Sequence, residues 1–276
     1  MEKNIIKNVR DTVPLVHNIT NYVTVNDVAN ILLACGGSPI MADDAEEAAE
    51  ITSICGGLNI NIGTLNARTI ESMLLAGKRA NELGHVTVLD PVGAGASRLR
   101  TETAMRLLEE VRFSVIRGNV SELKTLWGKG GTTKGVDADI ADRVTEENLG
   151  EMVQFAKGLS RKTGAVIAMT GAIDIVAHGE KAYAIRNGNA LMSKITGTGC
   201  MLSGVVAAYC VANSENLLDA TAAAVAAMGL CGEIGFERLT ETEWSGTSSY
   251  RTYMIDAMSL MSDGILEEGM KIEARF

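Results

Sequence analysis

The segment Val86-Thr87-Val88-Leu89-Asp90-Pro91-Val92-Gly93-Ala94-Gly95 decides the fold class. Four β-favouring, mostly apolar residues run directly into Asp-Pro and two glycines, without alternation of polar and apolar positions. A strand covered on both faces reads as such a continuous run, and strands of this kind belong to parallel sheets flanked by helices. Outward from it the pattern recurs, and predicts strands at Ser38–Met41, Leu58–Ile62, Phe113–Ile116 and Ala165–Met169. Helical patterns lie between them at Asp44–Ser53, Asn66–Leu83, Glu102–Glu110 and Glu147–Arg161. Strands alternating with helices of this length predict an α/β fold, a mainly parallel central sheet with helices on both faces. Asp174–Ala177 and Ala182–Ile185, joined by His178-Gly179-Glu180-Lys181, predict an antiparallel hairpin added to that sheet. From Gly199 onward the chain reads as mostly helical, with a final helix near Tyr250–Glu268. The four glycines of Gly128–Asp139 mark the expected mobile loop. With no internal repeat and no low-complexity linker, a single domain over residues 1–276 is the simplest organisation.

Composition narrows the function. Of the 276 residues 46% are hydrophobic and 21% charged, a globular balance. Aromatic residues are only 4%, too few for base-stacking platforms, and the net charge of −9 disfavours nucleic acid or an anionic membrane as partner. The five cysteines (Cys35, Cys55, Cys200, Cys210 and Cys231) form no CxxC and no Cys/His cluster. A disulfide framework or structural zinc is therefore not expected, and a reducing cytoplasm is. The first residues, to Pro14, carry no apolar signal core. The longest apolar stretches, Val205–Val211 and Ala220–Gly232, fall short of the roughly 18 residues a membrane span needs, and read as buried core helices.

Three predicted strands end in polar signatures: Asp90-Pro91-Val92-Gly93-Ala94-Gly95, Arg117-Gly118-Asn119-Val120-Ser121-Glu122 and Thr170-Gly171. In open α/β sheets ligands bind beyond the carboxyl ends of the strands, so one shared site is expected there. Each signature alone also reads as ordinary helix and turn capping. The most specific segment is Ile195-Thr196-Gly197-Thr198-Gly199-Cys200, which precedes an apolar helix. Glycines before a helix let backbone N–H groups and the helix dipole face an anion, as a transferring phosphoryl group requires. No P-loop is present, and Gly93–Arg98 lacks the third glycine of a dinucleotide fingerprint. His17, in His17-Asn18-Ile19-Thr20-Asn21, reads as a satisfied structural group, and Met41 as a core residue unless its strand end lines the pocket.

Taken together, these residues resemble the hydroxyethylthiazole kinase family of the ribokinase-like superfamily. The resemblance is carried in order by Pro14–Asn21, Gly37–Ala42, Asn61–Leu65, Leu89–Gly95, Arg117–Asn119 with Glu122, Thr170-Gly171 and Ile195–Cys200. His-Asn-Ile-Thr-Asn and the Gly-Thr-Gly-Cys ending are particular to the thiazole kinases; most of the superfamily has Gly-Thr-Gly-Asp there, with Asp as general base. The resemblance implies ATP-dependent phosphorylation of the hydroxyl of 4-methyl-5-(2-hydroxyethyl)thiazole, in thiamine biosynthesis or salvage, by a homotrimer with sites at subunit interfaces. It implies that Met41 and Asn21 line the thiazole pocket with Gly197 near the hydroxyl. Arg117, Asn119 and Thr170 would contact ATP, and Asp90 and Glu122 would hold Mg²⁺ directly or through water. Gly197, Thr198, Gly199 and Cys200 would form the catalytic turn, with Cys200 at the base position and its thiol acidified by the helix start.

Two other readings stay open on sequence alone. One is a ribokinase-like kinase for another small alcohol, a pyrimidine or a sugar. The other is a catalytically silent nucleotide-binding protein.

Overall fold

The structure, a computed structural model, describes residues 2–128, 133–134, 137–138, 143–241 and 243–276. In chain order the strands are β1 (Leu15–Ile19), β2 (Ser38–Ile40), β3 (Gly57–Asn61), β4 (Val86–Asp90), β5 (Val115–Asn119), β6 (Thr133–Lys134), β7 (Asp137–Ala138), β8 (Val166–Thr170), β9 (Asp174–His178), β10 (Lys181–Ile185) and β11 (Ile272–Arg275). The helices are α1 (Ile5–Thr12), α2 (Val25–Cys35), α3 (Ala48–Ile54), α4 (Ala67–Leu83), α5 (Arg98–Glu110), α6 (Val120–Leu126), α7 (Leu149–Thr163), α8 (Thr198–Ala212), α9 (Leu217–Thr240), α10 (Thr247–Leu260) and α11 (Asp263–Gly269).

Nine strands form one sheet in the order β11-β10-β9-β8-β5-β4-β3-β1-β2. The six from β2 to β8 are mutually parallel. β9, β10 and β11 then continue the sheet with antiparallel pairings. The pleat divides the apolar side chains between two cores. Val86, Val88, Val115, Val166 and Ala168 pack with α1, α2, α8, α9 and α10 on one face, while Leu89, Ile116, Ile167 and Met169 pack with α3 to α7 on the other. This is why the strands lack polar alternation: both faces are dry.

The predicted strands and the hairpin lie within a few residues of the observed ones. β5 is displaced, however. Phe113 is buried ahead of the strand, and Arg117-Gly118-Asn119 lies inside it, paired with Ala168, Met169 and Thr170. Those polar residues read as a loop until the neighbouring strand supplies their ladder. The expected final helix Tyr250–Glu268 is instead α10 and α11. Ser262 breaks the run by accepting the Ile265 N–H at 3.3 Å as cap of α11, and the chain ends in β11. β1 and α2 have no counterpart in the sequence reading, because His17 and Asn18 interrupt the apolar run of β1. The expected mobile loop Gly128–Asp139 lies outside the described residues apart from Gly128 and the short β6–β7 ladder.

Among the described residues one helical stretch, Ser214–Thr240, is long and apolar enough to cross a membrane, but 83% of its most apolar window is buried within the protein. Its alanines, flat against α8 and α10, allow close helix packing at the centre of the first core.

Candidate active site

The parallel strands all deliver their carboxyl ends to one edge of the sheet. Asn61 ends β3, Asp90 ends β4, Asn119 ends β5 and Thr170 ends β8, while Asn21 and Met41 follow β1 and β2. α8 packs across β1, β3 and β4 and brings its first turn, Thr198-Gly199-Cys200, over these ends. Gly197 makes that approach possible. Its φ of +89° is open to glycine, and a Cβ there would come within 2.4 Å of Thr24 Cγ2. No side chain caps α8. An uncapped helix start leaves backbone N–H groups and the positive end of the helix dipole available to an anion.

Arg117 lies directly on this turn. A Cβ on Gly199 would be 2.4 Å from Nη2 and 2.5 Å from Nη1 of the guanidinium. Arg117 donates from Nη2 to Thr170 Oγ1 at 2.8 Å and from Nη1 to Asp90 Oδ1 at 3.3 Å; its Nε is buried and unpartnered. Asp90 is fully buried, and its Oδ2 accepts from Asn61 Nδ2 and Ser203 Oγ, both at 2.8 Å.

Cys200 is buried beside a pair of amides. Asn21 Nδ2 and Asn61 Nδ2 each donate to Sγ at 3.2 Å. Asn21 is turned this way because its Oδ1 accepts from Thr24 N at 3.2 Å and Thr24 Oγ1 at 3.1 Å. Burial and the nearby Asp90 push the Cys200 thiol up, against the opposing pull of Thr24, Arg117 and Asn21. This corrects the expectation of a thiol acidified by the helix start: burial and the charge of Asp90 outweigh the groups that pull the thiol down.

Glu122 and Asn119 are joined as a capping box at the start of α6. Asn119 Oδ1 accepts from Glu122 N at 2.9 Å, and Glu122 Oε2 accepts from Asn119 N at 2.8 Å. Glu122 Oε1 accepts from Gly93 N at 2.8 Å and so ties down the loop after β4. Burial and the charge of Asp90 raise its carboxyl to about 7. Asp174 accepts from Gly171 N at 2.8 Å, and burial raises it to about 7 as well. One guanidinium thus stands among three carboxyl groups.

The structure brings Asn21, Asp90, Arg117, Thr170, Gly199 and Cys200 into one hydrogen-bonded and contacting set, with Glu122 and Asn119 beside it. Met41 is half-buried and packs against the first core just beyond β2, outside the hydrogen-bonded set. The capping reading holds for Asn119, whose side-chain oxygen serves α6. His17 is buried and structural: its Nε2 donates to the Ala42 carbonyl at 2.7 Å and its Nδ1 meets Thr52 Oγ1 at 2.9 Å. Burial lowers its pKa and keeps it neutral. Asn61, Ser203 and Thr24 were not singled out from the sequence. The available signal was Asn61, the second of two buried amides in β3 and the one at its carboxyl end; Ser203 lies inside an apolar helix and gives none.

The mainly parallel sheet, here with polar residues gathered at its strand ends, is a fold shared with known small-molecule kinases. A ribokinase-like superfamily protein from Enterococcus faecalis superposes with a TM-score of 0.58 over 94% of this chain and 96% of that chain, at 12% identity, a likeness of fold alone. Residues 6–263 match the hydroxyethylthiazole kinase family. The chain is 61% identical over 274 residues to "Hydroxyethylthiazole kinase" of Clostridium acetobutylicum, covering 99% of this chain and 100% of that one. A hydroxyethylthiazole kinase protein from Pyrococcus horikoshii superposes at a TM-score of 0.85 and 34% identity, with 99% of this chain and 98% of that chain covered. The chain belongs to the hydroxyethylthiazole kinase family.

Replacement of Cys200 tests the role of its thiol. The two amide donors, the uncapped turn and Arg117 suit a carboxylate as well as a sulfur and offset the repulsion of Asp90, so Cys200→Asp is expected to fold and to keep or raise kcat. Cys200→Ala is expected to lose no more than about 100-fold, the lower end of general-base effects. Comparison of kcat for Cys, Asp, Ser and Ala at position 200, with thermal melts, decides. A folded Asp variant far below the Ala variant would overturn this account.

Proposed function

We propose that the chain transfers the γ-phosphoryl group of ATP to the hydroxyl of 4-methyl-5-(2-hydroxyethyl)thiazole, forming the thiazole phosphate in thiamine biosynthesis or salvage. Family membership supports the substrate. The observation that carries the chemistry is the contact of the Arg117 guanidinium with the uncapped first turn of α8, next to Asn21 and Cys200.

Phosphoryl transfer through a loose transition state asks for positioning and neutralisation more than for covalent participation. Arg117 and the N–H groups of Thr198, Gly199 and Cys200 face the transferring group. Thr170 holds Arg117 from the far side. Asn21 and Met41 line the thiazole pocket, with Gly197 near the hydroxyl. The hydroxyl loses its proton late, so a neutral Cys200 is compatible with turnover.

The donor set fits Mg²⁺. Asp90, Glu122 and Asp174 are hard oxygen donors whose formal charge exceeds that of Arg117; burial raises Glu122, with help from Asp90, and Asp174 to about 7. Both oxygens of Glu122 already accept backbone N–H groups, which suits a cation held through water and phosphate oxygens. Asp90 and Glu122 would hold the ion, which when bound neutralises charge on the phosphates.

A homotrimer with sites between subunits is part of the same proposal. His17 is buried and cannot face a neighbour, but Tyr22 and Val23, directly after Asn21, are 78% and 57% exposed. These apolar side chains beside the pocket suit cover by a second subunit. Light scattering is expected to give a trimer; a fully active stable monomer would contradict it. The five cysteines, all free and buried, suit the cytoplasm.

The test of the substrate is formation of thiazole phosphate from ATP and Mg²⁺, run beside hydroxymethylpyrimidine and ribose. The thiazole alcohol is expected to be preferred. Turnover of only the pyrimidine or the sugar would reassign the substrate, and turnover of none by folded protein would favour a silent nucleotide-binding protein.

A further inference from the structure

We propose that Asn61 is a positioning residue of this reaction, the amide that fixes position 200 and the Asp90 carboxylate relative to each other. The proposal rests on the kinase reading above. Asn61 is buried at the end of β3 and touches both halves of the site. Its Nδ2 donates to Asp90 Oδ2 at 2.8 Å and to Cys200 Sγ at 3.2 Å. Its Oδ1 accepts from Gly63 N at 2.9 Å and from Asn21 Nδ2 at 3.0 Å. Two donors and two lone pairs are the full capacity of an amide, and all four are used.

The orientation is forced. Gly63 N–H can only donate, so Oδ1 must face it, and both hydrogens of Nδ2 must face Asp90 and Cys200. The consequence for Asp90 is specific to one oxygen. Asn61 and Ser203 together fill the two lone pairs of Oδ2. Oδ1 is then the oxygen turned toward Arg117 and the phosphate side. Through Asn21 the same amide extends to the segment assigned to the thiazole pocket. Asn61 thus links the acceptor side to the phosphate side without belonging to either.

Two roles are separable within this one side chain. The acceptor Oδ1 anchors the turn at Gly63; the donor Nδ2 aligns Asp90 and Cys200. Asn61→Asp keeps the acceptor role and the shape, and removes the donors while setting a carboxylate against Asp90. Because the new carboxylate also repels Asp90, the Ala variant, which removes the donors without adding charge, is read beside it, and a residue that only anchored the turn would leave kcat of the folded Ala variant near the parent value.

The experiment measures kcat and both KM values for Asn61→Asp and Asn61→Ala, with thermal melts. The Ala variant leaves room for water at Gly63 and serves if the Asp variant melts low. The expected result is a kcat lower by about 100-fold or more, the scale of a lost preorganised donor, with KM for ATP and for the thiazole alcohol changed less than about threefold. Folded variants with kcat within threefold of the parent, or with the loss confined to KM, overturn the proposal. If the parent is active only on a different alcohol, the thiazole reading fails, and Asn61 is judged by the same kcat criterion on that alcohol.

Discussion

Arg117→Ala is expected to lower kcat by about 100- to 1,000-fold, or about 2–4 kcal/mol of transition-state stabilisation. The guanidinium is the cation in contact with the α8 turn, and it is held in place from two sides, by Asp90 Oδ1 and Thr170 Oγ1. Its position is therefore set before any ligand arrives, the condition under which a charge is most effective. Arg117→Lys is expected to recover less than a tenth of the lost rate. A single ammonium cannot meet both Asp90 and Thr170 and also lie flat on Gly199. Steady-state kinetics at saturating ATP and thiazole alcohol check both variants. A loss under threefold for Arg117→Ala would remove Arg117 from the transfer step.

Gly199→Ala is expected to produce a loss of the same kind, about 100-fold in kcat, through a single added methyl group. The new Cβ would lie 2.4 Å, 2.5 Å and 2.8 Å from Nη2, Nη1 and Cζ of Arg117, closer than any such contact can be. The guanidinium must leave the turn. The backbone faces no such penalty, because alanine favours a helix over glycine by about 1 kcal/mol; the stability cost is confined to the Arg117–Asp90 pair that the displaced guanidinium gives up. Gly199→Ala is thus expected to melt no lower than Arg117→Ala, which loses the same pair outright, with kcat severely reduced. A double variant supplies the sharper check. If Gly199→Ala acts through Arg117, it adds little to Arg117→Ala, and the two effects are strongly non-additive. Additive losses would place the role of Gly199 elsewhere, in the backbone N–H groups themselves.

Some residues of the site were legible and others were not, for reasons that differ residue by residue. Asp90, Arg117 and Thr170 stand out because each interrupts an apolar run that both faces of the sheet require. Gly197 and Gly199 stand out because glycines before an apolar helix have few uses other than close approach. Asn119 and Glu122 carried two readings, cap and ligand; the capping box is real, and it accounts for the Asn119 oxygen and one contact of Glu122. Asn61 was within a motif but had no assigned task, since its task exists only once β3, β4 and α8 converge. The helix-start position of Cys200 was legible, but the direction of its pKa shift was not. Proximity to a helix start is visible in the sequence, but the depth of burial and the neighbouring Asp90, which raise the thiol, are not.

By itself the sequence determined the α/β alternation, the parallel core and the order of the strand-end motifs. Those follow from local rules: period, apolar run length and the turn residues that end a strand. The tertiary structure alone decided where β5 ends, since residues Arg117 to Asn119 become strand only when β8 pairs with them. It also decided the split of the last helix and the closing of the sheet by β11, a pairing with β10 between residues far apart in the chain. Most of all it decided the direction of the buried amides. Asn21 and Asn61 face Cys200 because the N–H groups of Thr24 and Gly63 claim their oxygens, and a hydrogen bond of that kind depends on distance and direction, which no spacing in the chain encodes.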